Sequence, residues 1–294
     1  MEINEINKQR FSLAGVVPVD GQPLDFGFPW HDSLAPIGQN YLAVEKAVFD
    51  CAVAGCDTIW VVCPKEMQPL IRYRMGDYVV DPIIYHNKLT FAKFPEKKEI
   101  PIYYVPTHPK DAGRRESLSW SIITGAHNAY RLSRKISRWV TPDKYFVAFP
   151  YGMFSPYYLR QKRSAIKSAN PFYVSFEGKN FKDGYYLPFT FDAEDFINCR
   201  RHFRASEKRA YADFKEPLPP EERYTGRFFK HDFVFEQVKT EDGVEVEVPW
   251  YEDISTWEKL KKWLSSENKL DKPAEFLLSY NEWNPIGEEL ETEE

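Results

Sequence analysis

The sequence predicts an α/β fold: an open, mostly parallel sheet with helices on both faces and an antiparallel, hairpin-containing second half. The first observation is that two apolar segments, 11–17 and 57–63, flank segment 41–54, whose apolar residues recur at a helical period. Strands joined through a helix are parallel, and a parallel sheet is covered on both faces. The second is a hydrophobic content of 43% with 16% aromatic residues, which excludes a disordered chain.

Residues that favour helix boundaries mark the ends of the first helix. Asn40 is the predicted N-cap, and Gly55 suits the left-handed conformation that ends a helix. Pro64 stops the strand that follows, because proline has no N–H to donate to a neighbouring strand. Segment 65–74 predicts a short helix, and the Asp-, Pro- and Asn-rich segment 77–95 is interpreted as an excursion over the sheet edge.

Further strands and helices follow in order. Segments 100–105 and 145–149 are predicted strands, since both are short and rich in aromatic or β-branched residues. A helix is predicted within 113–134, where small residues recur every fourth position from Ser117, a pattern that permits close approach of another backbone or a ligand. Segment 193–214 is a predicted helix, because its acidic residues come first and its basic residues later.

Two hairpins are predicted in the second half. Segments 171–176 and 185–191 are rich in aromatic and β-branched residues and are separated by glycine-containing turns. Segments 233–238 and 244–248 alternate apolar and polar residues on either side of an Asp-Gly turn.

Three segments near the start carry a resemblance: Gly15–Leu24, Ser33–Gly38 and Ala54–Val62. In order and spacing they resemble the opening of the sugar-phosphate nucleotidyltransferases, the nucleotide-sugar pyrophosphorylases. The resemblance implies a Rossmann-like sheet of the glycosyltransferase-A type, with a glycine-rich phosphate loop after the first strand. The residues that it implies for nucleotide binding are Val19, Asp20, Gly21, Gln22, Gly113 and Ser117.

The chain departs from this family at three chemical positions. The family's loop arginine is replaced by Pro23 or Leu24, and its lysine before the leucine-proline segment is replaced by Asp32. The aspartate that holds magnesium after the central strand is replaced by Tyr151 or Pro150. Neither residue suits magnesium, which prefers carboxylate, phosphate and water oxygens. Three such losses predict a degenerate active site, because each preorganised charge contributes on the order of a hundredfold in rate.

A second point of resemblance lies at 251–257. The family carries a metal-binding aspartate in a similar segment before a helix, and Asp253 matches it, whereas the family's glycine is Ser255. The resemblance therefore implies that Asp253 is a metal ligand. Ser255 and Glu258 also match a capping box, so these residues could instead only start a helix at 257–264.

We expect one nucleotidyltransferase-like domain over 1–284, with a core at 11–150, an aromatic-rich second half at 151–284 and an acidic tail at 285–294. The four cysteines lack the C-x-x-C spacing of zinc sites, which favours a reduced, cytoplasmic setting. No segment has the length or apolar character of a membrane span, so no membrane partner is expected.

Basic residues are concentrated in one part of the chain. Residues 101–210 hold 19 Lys and Arg against 9 Asp and Glu, although the whole chain has a net charge of −5. Two clusters stand out, one at 131–138 and one at 160–167. They are either solvated faces or contacts to phosphates. Nucleic acid is not the expected partner, but the sequence does not exclude it.

Two functions follow from these observations. The first is a catalytically degenerate nucleotidyltransferase-like protein with a binding or assembly role, whose partners are a nucleotide or nucleotide-sugar, further copies of itself or a larger assembly. The second is an active but divergent enzyme that makes a nucleotide-sugar from a nucleoside triphosphate, and only this one needs Mg²⁺. Its candidate catalytic residues are Asp20, His31, Asp32, Arg114 and Arg115.

Overall fold

A computed structural model describes residues 11–21, 31–83, 98–111, 115, 117–136, 141–212 and 231–273. The strands in chain order are β1 (Leu13–Pro18), β2 (Pro36–Gly38), β3 (Tyr41–Leu42), β4 (Thr58–Val62), β5 (Tyr78–Val80), β6 (Glu99–Val105), β7 (Lys144–Val147), β8 (Gly152–Met153), β9 (Phe172–Ser175), β10 (Phe189–Asp192), β11 (Val244–Glu247) and β12 (Glu252–Asp253). The helices are α1 (Ala43–Ala54), α2 (Gln68–Met75), α3 (Leu118–Ile136), α4 (Tyr157–Gln161), α5 (Arg163–Ile166), α6 (Ala193–Ala212), α7 (His231–Val234) and α8 (Trp257–Ser265).

The predicted α/β fold is confirmed. The described strands form an eight-stranded sheet in the order β11-β9-β10-β7-β1-β4-β6-β5, and two small antiparallel pairs, β2-β3 and β8-β12, lie outside it. The central strands β7, β1, β4 and β6 are parallel to one another. Strand β10 is antiparallel to both β7 and β9, and β5 is antiparallel to β6. The sheet is therefore mixed but mostly parallel, as the sequence predicts.

Helices cover both faces of this sheet, as the apolar strands require. Leu13 and Val17 of β1 belong to the core under α1, α4 and α5. Ala14 and Val16 point to the opposite face, where the core is shared with α3, α6 and α7. Successive side chains of a strand point to opposite faces, so β1 contributes to both cores.

The first helix begins later than its predicted N-cap. Asn40 adopts a left-handed conformation in the turn between β2 and β3, with φ 53°. The N-cap is Leu42, whose backbone N–H donates to the carboxylate of Glu45 at 2.8 Å. The predicted glycine end is confirmed, because Gly55 has φ 89°.

The second predicted hairpin is wrong. Residues 231–234 form helix α7, and β11 pairs in parallel with β9 instead of turning back on the segment before it. Packing overrides the alternating pattern, because Val234 and Phe235 are buried, and the ring of Phe235 lies 5.2 Å from that of Phe189 between centroids. The first predicted hairpin is confirmed, since β9 and β10 are antiparallel neighbours.

The predicted excursion over the sheet edge is partly a strand. Residues 78–80 form β5, the edge strand beside β6, and 84–97 lie outside the described residues. Among the described helices, none combines the length and apolar character that crossing a membrane requires.

Gly125 permits the close approach of α3 to the sheet. A Cβ at this position would lie 2.6 Å from Cγ1 of Val16 and 3.0 Å from Cγ2 of Val62. We expect Gly125→Ala to lower the free energy of unfolding by about 1–3 kcal/mol, because overpacking forces the buried valines to move. Helix propensity alone would stabilise the variant by about 1 kcal/mol. Urea denaturation, with Thr124→Ala in the same helix as control, decides between the two, and a stabilised Gly125→Ala variant would contradict the close packing.

Candidate functional site

The candidate site lies where the central parallel strands end. After β1 the chain bends over the end of β4, because the backbone N–H groups of Val19 and Asp20 both donate to the carbonyl of Val62, at 2.8 and 2.9 Å. Open α/β sheets place their ligand crevice at this edge. The predicted phosphate loop therefore begins at the expected place, with Gln22 outside the described residues.

The N-terminus of α3 packs directly against this loop. A Cβ on Gly21 would lie 2.5 Å from the backbone nitrogen of Ser117, and Gly21 has φ 108°, so a larger residue would be strained there. The Ser121 hydroxyl donates to the carbonyl of Asp20. The Ser117 hydroxyl accepts from the N–H of Trp120 at 3.2 Å. The structure thus brings Asp20, Gly21 and Ser117 together.

The other candidates of the α3 loop are only partly described. Gly113 and Arg114 lie outside the described residues. Arg115 forms an ion pair with Asp111 at 2.8 Å, and its guanidinium lies 4.5 Å from the ring centroid of Trp120. Arg115 is therefore held in place by a carboxylate and an aromatic face.

His31 and Asp32 begin a short 3₁₀ turn at 32–34. The His31 ring nitrogen Nδ1 accepts from the N–H of Ser33 at 3.2 Å and lies 3.0 Å from its hydroxyl. Burial lowers the pKa of His31, so the ring is neutral at physiological pH. Asp32 is buried, with 7% of its surface exposed. In its contacts within the described residues, His31 acts as a turn cap.

Tyr151 lies in the apolar core beside the crevice. It is fully buried with Leu118, Met153 and Ile254, and its ring meets that of Tyr186 edge-on at 5.8 Å between centroids. Burial raises the pKa of its hydroxyl far above the usual value, and the carboxylate of Asp32 raises it further. A neutral phenol in such surroundings is a poor ligand for a hard cation.

Asp253 lies beside the Tyr151 segment through its backbone. It pairs with Gly152 across the β8-β12 ladder, and the N–H of Ile254 donates to the carbonyl of Tyr151 at 2.9 Å. Its side chain accepts from the N–H of Ser255 at 2.7 Å and forms an ion pair with Lys259. The carboxylate is therefore used in the local structure.

The predicted capping box at Ser255 is wrong, because the N-cap of α8 is one residue later. Thr256 has extended backbone angles, and its hydroxyl accepts from the N–H of Lys259 at 3.4 Å. Asp253 instead closes a turn onto Ser255 before the helix starts. Both Asp253 and Thr256 therefore fix the entry of the chain into α8.

A buried ion pair under the crevice was not predicted from the sequence. Lys46 lies 2.7 Å from Asp50, one turn later in α1, and both side chains are almost completely buried. The Lys46 ammonium also donates to the carbonyl of Gly152 at 2.6 Å and lies 3.8 Å from the ring centroid of Phe154. Burial lowers the pKa of Lys46 and raises that of Asp50 to about 6. The signal was a Lys and an Asp four residues apart in a helix whose only other charged residue is Glu45.

The two positions that the resemblance gives to magnesium ligands do not fit a catalytic magnesium ion. Of the two positions implied by the resemblance, one holds a buried phenol and the other holds a carboxylate already paired with Lys259. Magnesium keeps several waters and needs carboxylates and substrate phosphates in near-octahedral geometry.

Comparisons with known proteins agree with this fold. No protein-family model and no curated sequence matches the chain. Among solved structures, one named as a putative glucose-1-phosphate thymidylyltransferase of Bacillus anthracis matches with a TM-score of 0.51 and 11% identity, covering 90% of this chain and 99% of that one. A 4-diphosphocytidyl-2C-methyl-D-erythritol synthase of Anaerococcus prevotii matches with a TM-score of 0.48 and 12% identity, covering 86% of this chain and 94% of that one. At this identity the first similarity shows the fold alone, which is that of the nucleotidyltransferases.

The contributions of Lys46 and Asp50 to the free energy of unfolding should be coupled. Lys46→Met leaves the Asp50 carboxylate buried without its cation, which should lower the free energy of unfolding by about 3–5 kcal/mol at pH 8. Urea denaturation should show a smaller loss at pH 5, because a buried carboxyl without a cation takes up a proton. The double variant Lys46→Met/Asp50→Leu is the control and should recover about half of the loss or more. Equal losses in the single and double variants would show that the pair is not coupled.

Proposed function

We propose that this chain is a nucleotidyltransferase-fold protein whose crevice has lost metal-dependent transfer and serves in binding or assembly. The proposal rests on the identity and the burial of Tyr151. It is a fully buried, neutral phenol in the position that the resemblance gives to a magnesium carboxylate. Nucleotidyl transfer needs a metal to stabilise the charge that develops on the leaving pyrophosphate.

The surroundings of Tyr151 support the same conclusion. Asp32 stands where the resemblance implies a lysine, so a negative charge replaces a positive one next to the phosphate loop. Its buried carboxylate lies close enough to Tyr151 to raise the pKa of the phenol. A carboxylate there repels a triphosphate, whereas a lysine would attract it.

The retained architecture supports binding of a nucleotide or a nucleotide-sugar. The contact of Gly21 with Ser117, and the hydrogen bond from Ser121 to Asp20, hold the loop at the strand ends. Exposed large aromatic side chains support assembly into an oligomer or a larger complex. Among them is Tyr73, with 76% of its surface exposed. The proposed setting is the cytoplasm.

One observation favours the alternative of an active, divergent sugar-1-phosphate nucleotidyltransferase. The β8-β12 ladder places the backbone of Asp253 directly beside Gly152, next to Tyr151. In this alternative Asp20, Asp32 or Asp253 would hold Mg²⁺, and Arg115 would supply positive charge. The Lys259 ion pair would then have to open when the ion binds.

A thermal-shift screen tests the binding function. A ligand that binds only the native state raises the melting temperature, so nucleoside triphosphates, nucleotide-sugars and Mg²⁺ are screened separately and together. We expect Mg²⁺ alone to cause no shift and not to increase the shift caused by a nucleotide. A nucleotide shift that needs Mg²⁺ would favour the active enzyme, and no shift with any nucleotide would leave assembly as the function.

Substitutions of Asp253 separate a structural role from a metal-binding role. Asp253→Ala removes the acceptor for the N–H of Ser255 and should lower the free energy of unfolding by about 0.5–1.5 kcal/mol, the net value of one hydrogen bond. Asp253→Asn keeps an oxygen for that bond and loses only the exposed pair with Lys259, which should cost about 0–1 kcal/mol. Calorimetry with Mg²⁺ and a nucleoside triphosphate completes the test. Tight Mg²⁺-dependent binding that both variants abolish would overturn the structural role.

A further inference from the structure

The two basic clusters of the sequence lie on opposite faces of the sheet and differ in their pairing. In the 160–167 cluster, Arg163 forms an ion pair with Asp81, and Lys167 forms one with Asp57 at 3.0 Å. These ion pairs hold the α5 segment against the end of β5 and against the turn before β4. The described residues of the other cluster, Arg131, Arg134 and Lys135, lie on α3, on the face of the sheet that α3 shares with α6.

Helices α3 and α6 together form a basic seam that the sequence does not show. Trp120 packs on Phe203 with 4.8 Å between ring centroids, and His127 packs on Phe196 at 6.3 Å. Because of these contacts, α3 and α6 lie side by side. Cations of the two helices, which are distant in the sequence, therefore share one surface. The residues of this seam are Arg115, His127, Tyr130, Arg131, Arg134, Arg200 and Arg204.

The spacing on each helix makes the seam an elongated row. On α3, the seam residues from His127 to Arg134 follow at intervals of three, one and three residues, which places most of them along one helix face. On α6, Arg200 and Arg204 are one turn apart, so their side chains are neighbours. Along α3 the row extends about 1.5 Å per residue, which suits an extended ligand better than a single small anion.

Arg115 pairs with Asp111, but the other cations of the seam have no acidic residue in their own stretch of helix. Residues 118–136 and 196–204 contain no Asp or Glu. Within the described part of the chain, no ion pair holds Arg131, Arg200 or Arg204, all of which are exposed or half-buried. Positive charge therefore accumulates along the two helices.

The cations of the seam lie close enough to repel one another. Burial together with Arg204 and Arg115 lowers the pKa of Arg200. Burial together with Arg200 and Arg131 lowers the pKa of His127. This repulsion disfavours the free protein, and a bound polyanion would relieve it.

We propose that the α3–α6 seam binds the phosphate backbone of single-stranded nucleic acid. A row of arginines on an otherwise acidic protein is the electrostatic pattern that a phosphodiester strand recognises. A single strand is favoured over a duplex because Tyr130 is 37% exposed within the row, with Arg134 donating to its hydroxyl at 3.0 Å. An exposed ring between cations offers a face on which an unpaired base can stack.

Fluorescence anisotropy with a labelled, mixed-sequence single-stranded oligonucleotide tests the seam. The full-length protein should bind it at low salt, with affinity that falls as the KCl concentration rises. The variant Arg131→Gln/Arg204→Gln changes two exposed residues and should retain the fold, as checked by its melting temperature. We expect it to bind about tenfold more weakly or worse, since two charge-assisted contacts are lost. The logarithmic salt slope should fall by about 0.7 per lost contact.

The matched control is Arg160→Gln/Lys162→Gln, which removes two exposed positive charges from the opposite face. This control variant should bind the oligonucleotide with the same affinity as the unmodified chain. The variant Tyr130→Ala should bind it more weakly, with an unchanged logarithmic salt slope. An absence of binding at low salt would overturn the proposal. So would an equal loss in the control variant, tighter binding of a duplex of the same length, or equal binding of inorganic polyphosphate.

Discussion

The close contact between the loop after β1 and the N-terminus of α3 is the constraint on which the crevice depends. Gly21 meets the backbone of Ser117 with no room for a side chain, and Ser121 holds the carbonyl of Asp20. Further along the helix, Gly125 lets α3 lie against the valines of β1 and β4. A stripe of small residues thus fixes the helix against both the loop and the sheet, and the strand ends open towards the same edge.

Much of the central fold could be predicted because its signals are local. The apolar segments at 11–17 and 57–63, the helical period at 41–54 and the glycine at Gly55 each specify their element without distant contacts. The predictions that were wrong concern segments whose secondary structure depends on contacts with distant residues. The alternating segment at 233–238 predicted a strand, but burial of Phe235 against Phe189 placed it in and after a short helix.

The position of the candidate site could be predicted from the sequence, but the side-chain contacts of its residues could not. The resemblance implied that Asp20, Gly21 and Ser117 belong to one nucleotide-binding site, and they lie together at the edge of the sheet. No pattern in the sequence could show that Asp253 is held by Lys259, because this contact depends on how the chain enters α8. The same limit applies to the basic seam, whose two helices are separated in the sequence by strands β7 to β10.

If the crevice has kept its architecture but lost nucleotidyl transfer, the protein should not catalyse pyrophosphorolysis of nucleotide-sugars. The protein is incubated with pyrophosphate, Mg²⁺ or Mn²⁺ and a panel of nucleotide-sugars, and release of the nucleoside triphosphate is followed by chromatography beside an active nucleotidyltransferase. We expect no release above the protein-free background for any nucleotide-sugar. Release that is abolished by Asp253→Ala or Asp32→Asn would contradict it and would restore an active transferase.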